Sequence, residues 1–256
     1  MEPNLRPPAD WERTPVVFVH GLIGHLRGSA MALGARSRVT VAPDLLGYGQ
    51  HRDVPEAAVS LPAQVDELQS YIRHAYANER VDLVGHSVGG AIAMLLAHRE
   101  PAMVRRVVSV EGNFTLKDAF WSATLGQLSI PQVAAVLEGF SSDPAAWLAR
   151  SGVPATSGNL ELARDWLGFQ PATTLRSMGR SIVEVTAAPA YLEAVHRVFD
   201  KCDVSLLSGE RSHTQWDVPA WALTKATKTV TIVGTGHLMM LEQPKHFVET
   251  LEDILS

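Results

Sequence analysis

A single cysteine, Cys202, stands among 256 residues, so no disulfide can form within the chain and a cysteine-stapled scaffold is excluded. It reads as a small buried hydrophobe. Charge is also scarce. Charged residues make up 19% of the chain, with 22 Lys and Arg against 27 Asp and Glu. No run of like charge breaks this balance, which excludes the basic face that nucleic acid requires, so no nucleic-acid partner is expected. Long apolar runs are missing too. The longest, Ala91 to Ala97, has seven residues, against roughly 18 or more for a membrane-spanning helix, so no membrane partner is expected. The start, Met1 to Pro8, has neither the basic residues nor the apolar segment of a secretory signal, and a cytoplasmic location is the expectation. The ten histidines never fall at a metal-ligand spacing such as H-E-x-x-H. Neither a metal nor another cofactor is expected.

The chain does have apolar residues, at 46%, enough to build a large core. Pro15 to His20 is a β-branched run that stops at a glycine, as a buried parallel strand does. Arg38 to Ala42 reads as a second strand, closed by Pro43. Ser60 then caps an amphipathic helix over Leu61 to Tyr76, with Val65, Leu68 and Ile72 on one face. A strand at Val81 to Val84, an apolar helix from Val88 to about Arg99 and a strand at Arg105 to Val110 follow. This alternation means βαβ crossovers and a mostly parallel sheet.

From Gly112 to about Asp200 the β-branched runs disappear. Short helical patterns replace them, punctuated by Pro131, Pro144, Pro154, Pro171 and Pro189. Strands return at Val204 to Leu207 and Lys228 to Val233, and a last helix covers Pro244 to Leu255. The reading is an α/β core, residues 1–112 and 201–256, split by a helical insertion at 113–200.

Gly85-His86-Ser87-Val88-Gly89-Gly90 sits where a strand meets a helix. Such a turn forces its serine into strained backbone angles, and a Cβ on the flanking glycines would collide with neighbouring elements. It also sets Ser87 at a helix N-terminus, where free N–H groups favour developing negative charge. A serine hydroxyl needs a base. His237 directly follows the strongest late strand, between Gly236 and Leu238, and is the candidate. His20, His25 and His86 fall near the same sheet edge and read as pocket walls. Acyl transfer further needs donors aimed at the oxyanion. The Val88 N–H and, from the loop after the first strand, the Leu22 N–H fill that role.

With these residues in place the chain resembles the α/β-hydrolase superfamily over nearly its whole length. His20-Gly21, the segment from Pro43 and Asp44 to Gly47 and Gly49, Gly85 to Gly90 and Gly236-His237 stand in the family's order. The resemblance implies a Ser, acid, His triad and a helical lid between the sixth and seventh family strands, here residues 113–200. Asp44 would close a turn. The family's leading β-hairpin reads as missing or reduced. The acid departs from the commonest pattern, because Ser212 stands where many relatives carry Asp after the seventh strand. A minority carry it after the sixth strand, where Val110 runs into Glu111, so Glu111 becomes the expected acid, ahead of Glu210 and Asp217.

Dehalogenases and epoxide hydrolases of this superfamily use an Asp nucleophile, so Ser87 argues against both. Ester, lactone, thioester or carbon–carbon bond hydrolysis remains, and the scaffold also carries lyases and ligand receptors. Scattered charges in the insertion disfavour a coenzyme A thioester. Phe114, Trp121 and Trp147, with other insertion aromatics, offer an apolar pocket lining. The first reading is a serine hydrolase acting on a carboxylic ester or lactone, its expected partner a small to medium apolar substrate.

Overall fold

A computed structural model describes residues 14–256 apart from Ser37 and Asn78. The N-terminal signal reading and the place of the leading hairpin lie outside the described residues. Six parallel strands form one sheet: β1 (Val16–Val19), β2 (Thr40–Val41), β3 (Val81–His86), β4 (Val104–Val110), β5 (Asp203–Gly209) and β6 (Lys228–Ile232), in the order β2-β1-β3-β4-β5-β6. This is the α/β-hydrolase architecture. β1 is buried at every position. Val17 and Val19 join the core on one face of the sheet, and Val16 and Phe18 the core on the other. Both faces are therefore apolar, which is why the strand reads as a continuous hydrophobic run.

The edge strands depart from the sequence reading. The second strand, expected over Arg38 to Ala42, keeps only two residues in regular pairing, because it bonds to β1 on one side alone and Val39 is half exposed. At the other edge only Ile232 of β6 is fully buried. Its β-branched residues serve the pleat more than the core.

Helices α1 (Arg27–Gly34), α2 (Leu61–Tyr76) and α3 (Val88–Arg99) connect the first four strands. Ser60 caps α2 by accepting a hydrogen bond from the Ala63 N–H at 3.3 Å. α3 lacks a polar face, and almost all of it is buried between the sheet and its neighbours. β2 and β3 leave β1 on opposite sides. The crevice at this reversal opens at the C-terminal ends of the strands, where doubly wound sheets bind ligands.

The insertion is helical throughout: α4 (Phe120–Gln127), α5 (Ile130–Ser142), α6 (Pro144–Arg150), α7 (Ser157–Gly168), α8 (Ala172–Ala187) and α9 (Pro189–Phe199). Four of its five prolines stand at helix starts rather than break helices. Pro144 and Pro189 open α6 and α9, Pro131 sits in the first turn of α5, and Pro171 precedes α8. α4 and α8 approach at Gly126 and Gly179, where neither residue has room for a Cβ. α9 packs against α3 and β5 and so flanks the sheet like a crossover helix. After β5 come α10 (Ala220–Lys225), α11 (Met239–Glu242) and α12 (Pro244–Leu255). No helix of the described residues is long and apolar enough to cross a membrane.

Two glycines in α3 and α5 should respond oppositely to a methyl group. A Cβ on Gly89 would meet the carbonyl oxygens of Val19 and His20, both fixed backbone. Gly139 in α5 has nothing within 4 Å of that position. Gly89→Ala should lose about 1–3 kcal/mol or more in urea denaturation, whereas Gly139→Ala should gain up to about 1 kcal/mol.

Candidate active site

The turn from β3 into α3 is made by one residue, Ser87, at φ 53°. A Cβ at Gly85 would strike the Gly89 backbone, so glycine on both sides of Ser87 is a steric requirement. The Ser87 N–H donates to the Val110 carbonyl at 3.0 Å. Its own carbonyl accepts from Gly90 N–H at 2.8 Å and Asn113 N–H at 3.3 Å. The hydroxyl, half-buried, makes no hydrogen bond with any described residue and lies with His237 on the wall of one cavity.

Glu111 leaves β4 with φ 44°, a second backbone position that side chains seldom adopt. Its carboxylate is buried. One oxygen accepts from His237 Nδ1–H at 2.6 Å. The other accepts from Gly209 N–H at 2.8 Å and from the Ser212 hydroxyl at 2.5 Å. Burial, the largest single influence, pushes the carboxyl group's pKa up. The His237 hydrogen bond and charge, with the Ser212 and Gly209 bonds, outweigh burial and hold it below the ordinary range. Its contribution to stability is present above the unfolded-state value and is lost as the pH falls through the folded one.

Glu210 and Asp217 are engaged elsewhere. Glu210 accepts from the Gly234 N–H at 2.9 Å, and Asp217 from the Thr115 hydroxyl at 2.7 Å. Ser212, which stands where the family resemblance leads one to look for Asp, donates instead to Glu111 at the exit of β4. The cue in the sequence was the vacancy itself: a small donor in a carboxylate's usual place.

His237 Nδ1–H points at Glu111, which leaves Nε2 to accept a proton. The ring is 43% exposed on the cavity side of its loop. His86 Nε2–H donates to the His237 carbonyl at 3.0 Å, and the two rings lie 4.6 Å apart. Burial, reinforced by the nearby His237, depresses His86 to about 3, so it stays neutral and keeps that tautomer.

The loop after β1 is fixed in the same way. His20 Nδ1–H donates to the Gly21 carbonyl at 2.8 Å, and the Tyr48 hydroxyl donates to the Leu22 carbonyl at 3.0 Å. Because a peptide is planar and trans, holding the Gly21 oxygen on one side directs the Leu22 N–H to the other. Neither that N–H nor the Val88 N–H has an acceptor among the described residues. His20, edge-on to Tyr48 at 4.6 Å, is lowered to about 4, chiefly by burial.

The cavity beside Ser87 has a volume of about 430 Å³. Leu22, His86, Ser87, Glu111, Trp121, Trp147 and His237 line it, together with Asn113, Asp118, Phe140, Arg150, Trp166 and Trp216. Three residues anticipated as pocket lining stand outside it. His20 turns under Tyr48 to reach Gly21. His25 hydrogen-bonds Asp165 of α7 at 2.7 Å. Phe114 is a core residue, stacked near Phe199 and Trp216. A second cavity of about 630 Å³, outside β2, contains neither Ser87 nor His237. There Asp44 grips the Arg27 guanidinium with both oxygens, at 2.5 and 2.7 Å, and accepts from Gln50 N–H, so it closes a turn. Among the described residues no group of three or more His, Cys, Asp and Glu is placed to hold a metal ion.

The sequence pattern of the Alpha/beta hydrolase family matches residues 16–250. The chain belongs to that family. An uncharacterized protein of Mycobacterium tuberculosis is 27% identical to this hydrolase over 241 residues, 93% of this chain and 68% of that protein. The 2-hydroxy-6-oxo-2,4-heptadienoate hydrolase of Pseudomonas putida is 33% identical over 137 residues, 50% of this chain and 49% of its own. Among solved structures, a carboxylesterase of Nitrososphaera gargenis superposes with a TM-score of 0.73 over 97% of this chain and 92% of its own, at 17% identity, a likeness of fold.

Glu111→Gln keeps the shape of the side chain but removes the charge that favours imidazolium. It should lower kcat on an activated ester by about two to four orders of magnitude, with a smaller change in KM. Glu210→Gln and Asp217→Asn should each stay within about tenfold of the parent. A large loss in either of those two would move the acid away from Glu111.

Proposed function

We propose that this alpha/beta hydrolase cleaves carboxylic esters or lactones of small to medium substrates through an acyl-serine. The observation that carries the reading is the 2.6 Å bond from His237 Nδ1–H to buried Glu111, on the wall of an aromatic cavity that also holds Ser87. In this reading Ser87 Oγ attacks the carbonyl carbon and His237 Nε2 takes its proton. Glu111 orients the ring and stabilises the imidazolium. The Leu22 and Val88 N–H groups receive the oxyanion. His237 then protonates the departing alcohol, and water, activated by the same imidazole, releases the acid. An unbonded Ser87 hydroxyl is compatible with this, since nucleophile–base contacts tighten when substrate arrives.

The insertion supports a role as a lid that sets substrate choice, because Trp121, Phe140, Trp147 and Trp166 all come from it and face the cavity. A second reading, carbon–carbon bond hydrolysis on the same triad, is supported by the P. putida relative. The compound in that relative's name contains no ester.

Ser87→Ala should abolish hydrolysis of p-nitrophenyl esters beyond the residual ~10³–10⁴-fold over water that binding and the oxyanion donors supply. A phosphonate probe should label Ser87 alone. Unchanged turnover in that variant overturns the serine mechanism. Turnover of a vinylogous 1,5-diketone, with all esters refused, favours the second reading. Trp121→Ala should reorder preference along an acyl-chain series. A common fall for every chain length would remove the lid from substrate choice.

A further inference from the structure

The cavity wall carries a buried amide side chain that the proposed triad and oxyanion donors leave idle. Asn113 lies two residues beyond Glu111, is 4% exposed, and lines the cavity with Ser87 and His237. Its main chain is tied at both ends. The N–H donates to the Ser87 carbonyl at 3.3 Å, and the carbonyl accepts from the buried Tyr191 hydroxyl at 2.5 Å. These bonds hold Asn113 next to the nucleophile rather than at the far end of the cavity. The carboxamide, by contrast, has no hydrogen bond to any described residue, and its Oδ1 is fully shielded. A buried amide left unpaired forfeits its hydration with nothing in exchange, whereas a leucine of similar size would pack there without that loss.

A polar group on the substrate would complete the site. The carboxamide offers an acceptor and a donor, and rotation about its last bond exchanges them. A hydroxyl, which both donates and accepts, meets either arrangement. A second carbonyl meets only one. An ammonium group would call for a carboxylate, and the two on the cavity wall are already engaged: Glu111 accepts from His237, Gly209 and Ser212, and Asp118 from the N–H groups of Phe114, Thr115 and Asp217. The acyl group stays bound at Ser87 while the alcohol departs, so the part of the substrate that dwells beside Asn113 is the acyl part.

Building on the ester reading above, we infer that Asn113 is a specificity residue for a hydroxyl on the acyl chain close to the scissile carbonyl, and that the substrates are esters or lactones of hydroxy acids. Phenyl butanoate, phenyl 2-hydroxybutanoate and phenyl 3-hydroxybutanoate, the last two as separate enantiomers, differ only in that hydroxyl. Calorimetry on Ser87→Ala measures their binding without turnover. At least one hydroxy ester should bind about tenfold tighter than phenyl butanoate. The advantage should fall to about twofold or less when Asn113→Leu is added, with Asn113→Ser as the second variant if the leucine disturbs folding. Equal affinities for all the esters, as when a resident water already serves the carboxamide, overturn the inference. So does a preference that survives both substitutions at Asn113. Turnover by the wild-type enzyme is read separately: if it hydrolyses none of these esters the ester reading fails, while the binding comparison still decides the role of Asn113.

Discussion

The close approach of α3 to the ends of β1 and β3 is the constraint from which the site follows. Gly85 and Gly89 meet backbone where a side chain would need to be, and Gly90 meets Gly112 in the same way. The chain therefore has to turn within Ser87 alone, at an angle that its neighbours impose rather than one it prefers. The contact between Gly90 and Gly112 carries the effect to the next strand. It brings the exit of β4 against the start of α3, where Glu111 also takes a left-handed angle and Asn113 reaches the Ser87 carbonyl. One packed junction of small residues thus orients Ser87, Glu111 and Asn113.

What could be read in advance followed from how locally each feature is encoded. Ser87 announces itself because glycine on either side is a steric demand written in adjacent positions. The α2 helix, with its cap and its apolar spacing, is equally local. The pairing of Glu111 with His237 could be read because an apolar strand ends directly at a carboxylate and Ser212 stands where the resemblance leads one to look for Asp. The direction of a side chain was not legible. His20 and His25 lie near the sheet edge, as the pattern has it, and Phe114 in the insertion, yet each turns away from the cavity toward a partner distant in sequence or hidden in its own loop: the Gly21 carbonyl, Asp165 and Phe199. Regular strand length at the sheet edges was hidden for a similar reason, since propensity does not reveal how many neighbours a strand will have.

Two of the histidines around the site carry no charge. His20 and His86 are both driven toward the neutral form by burial, so they act through fixed N–H directions rather than as cations. Each holds a backbone carbonyl, Gly21 for His20 and His237 for His86, and thereby sets the peptide that follows it. Glu111 keeps its negative charge under burial because three donors meet its two oxygens. Of the two carboxylates on the cavity wall, Glu111 is aimed at the His237 imidazole, while Asp118 is taken up by the backbone N–H groups of Phe114, Thr115 and Asp217.

Glu111 and His237 are 126 residues apart in the chain, with the whole helical insertion between them. Cleavage of the backbone inside the insertion would put Ser87 and Glu111 on one fragment and His237 on the other. Neither half would hold all three residues, and the two would bring them together again only by rebuilding the sheet along the β4–β5 seam. On the proposed mechanism the protein is in this sense a natural split reporter: its turnover would register that two distant lengths of polypeptide have found each other, and during refolding activity should be among the last properties to return.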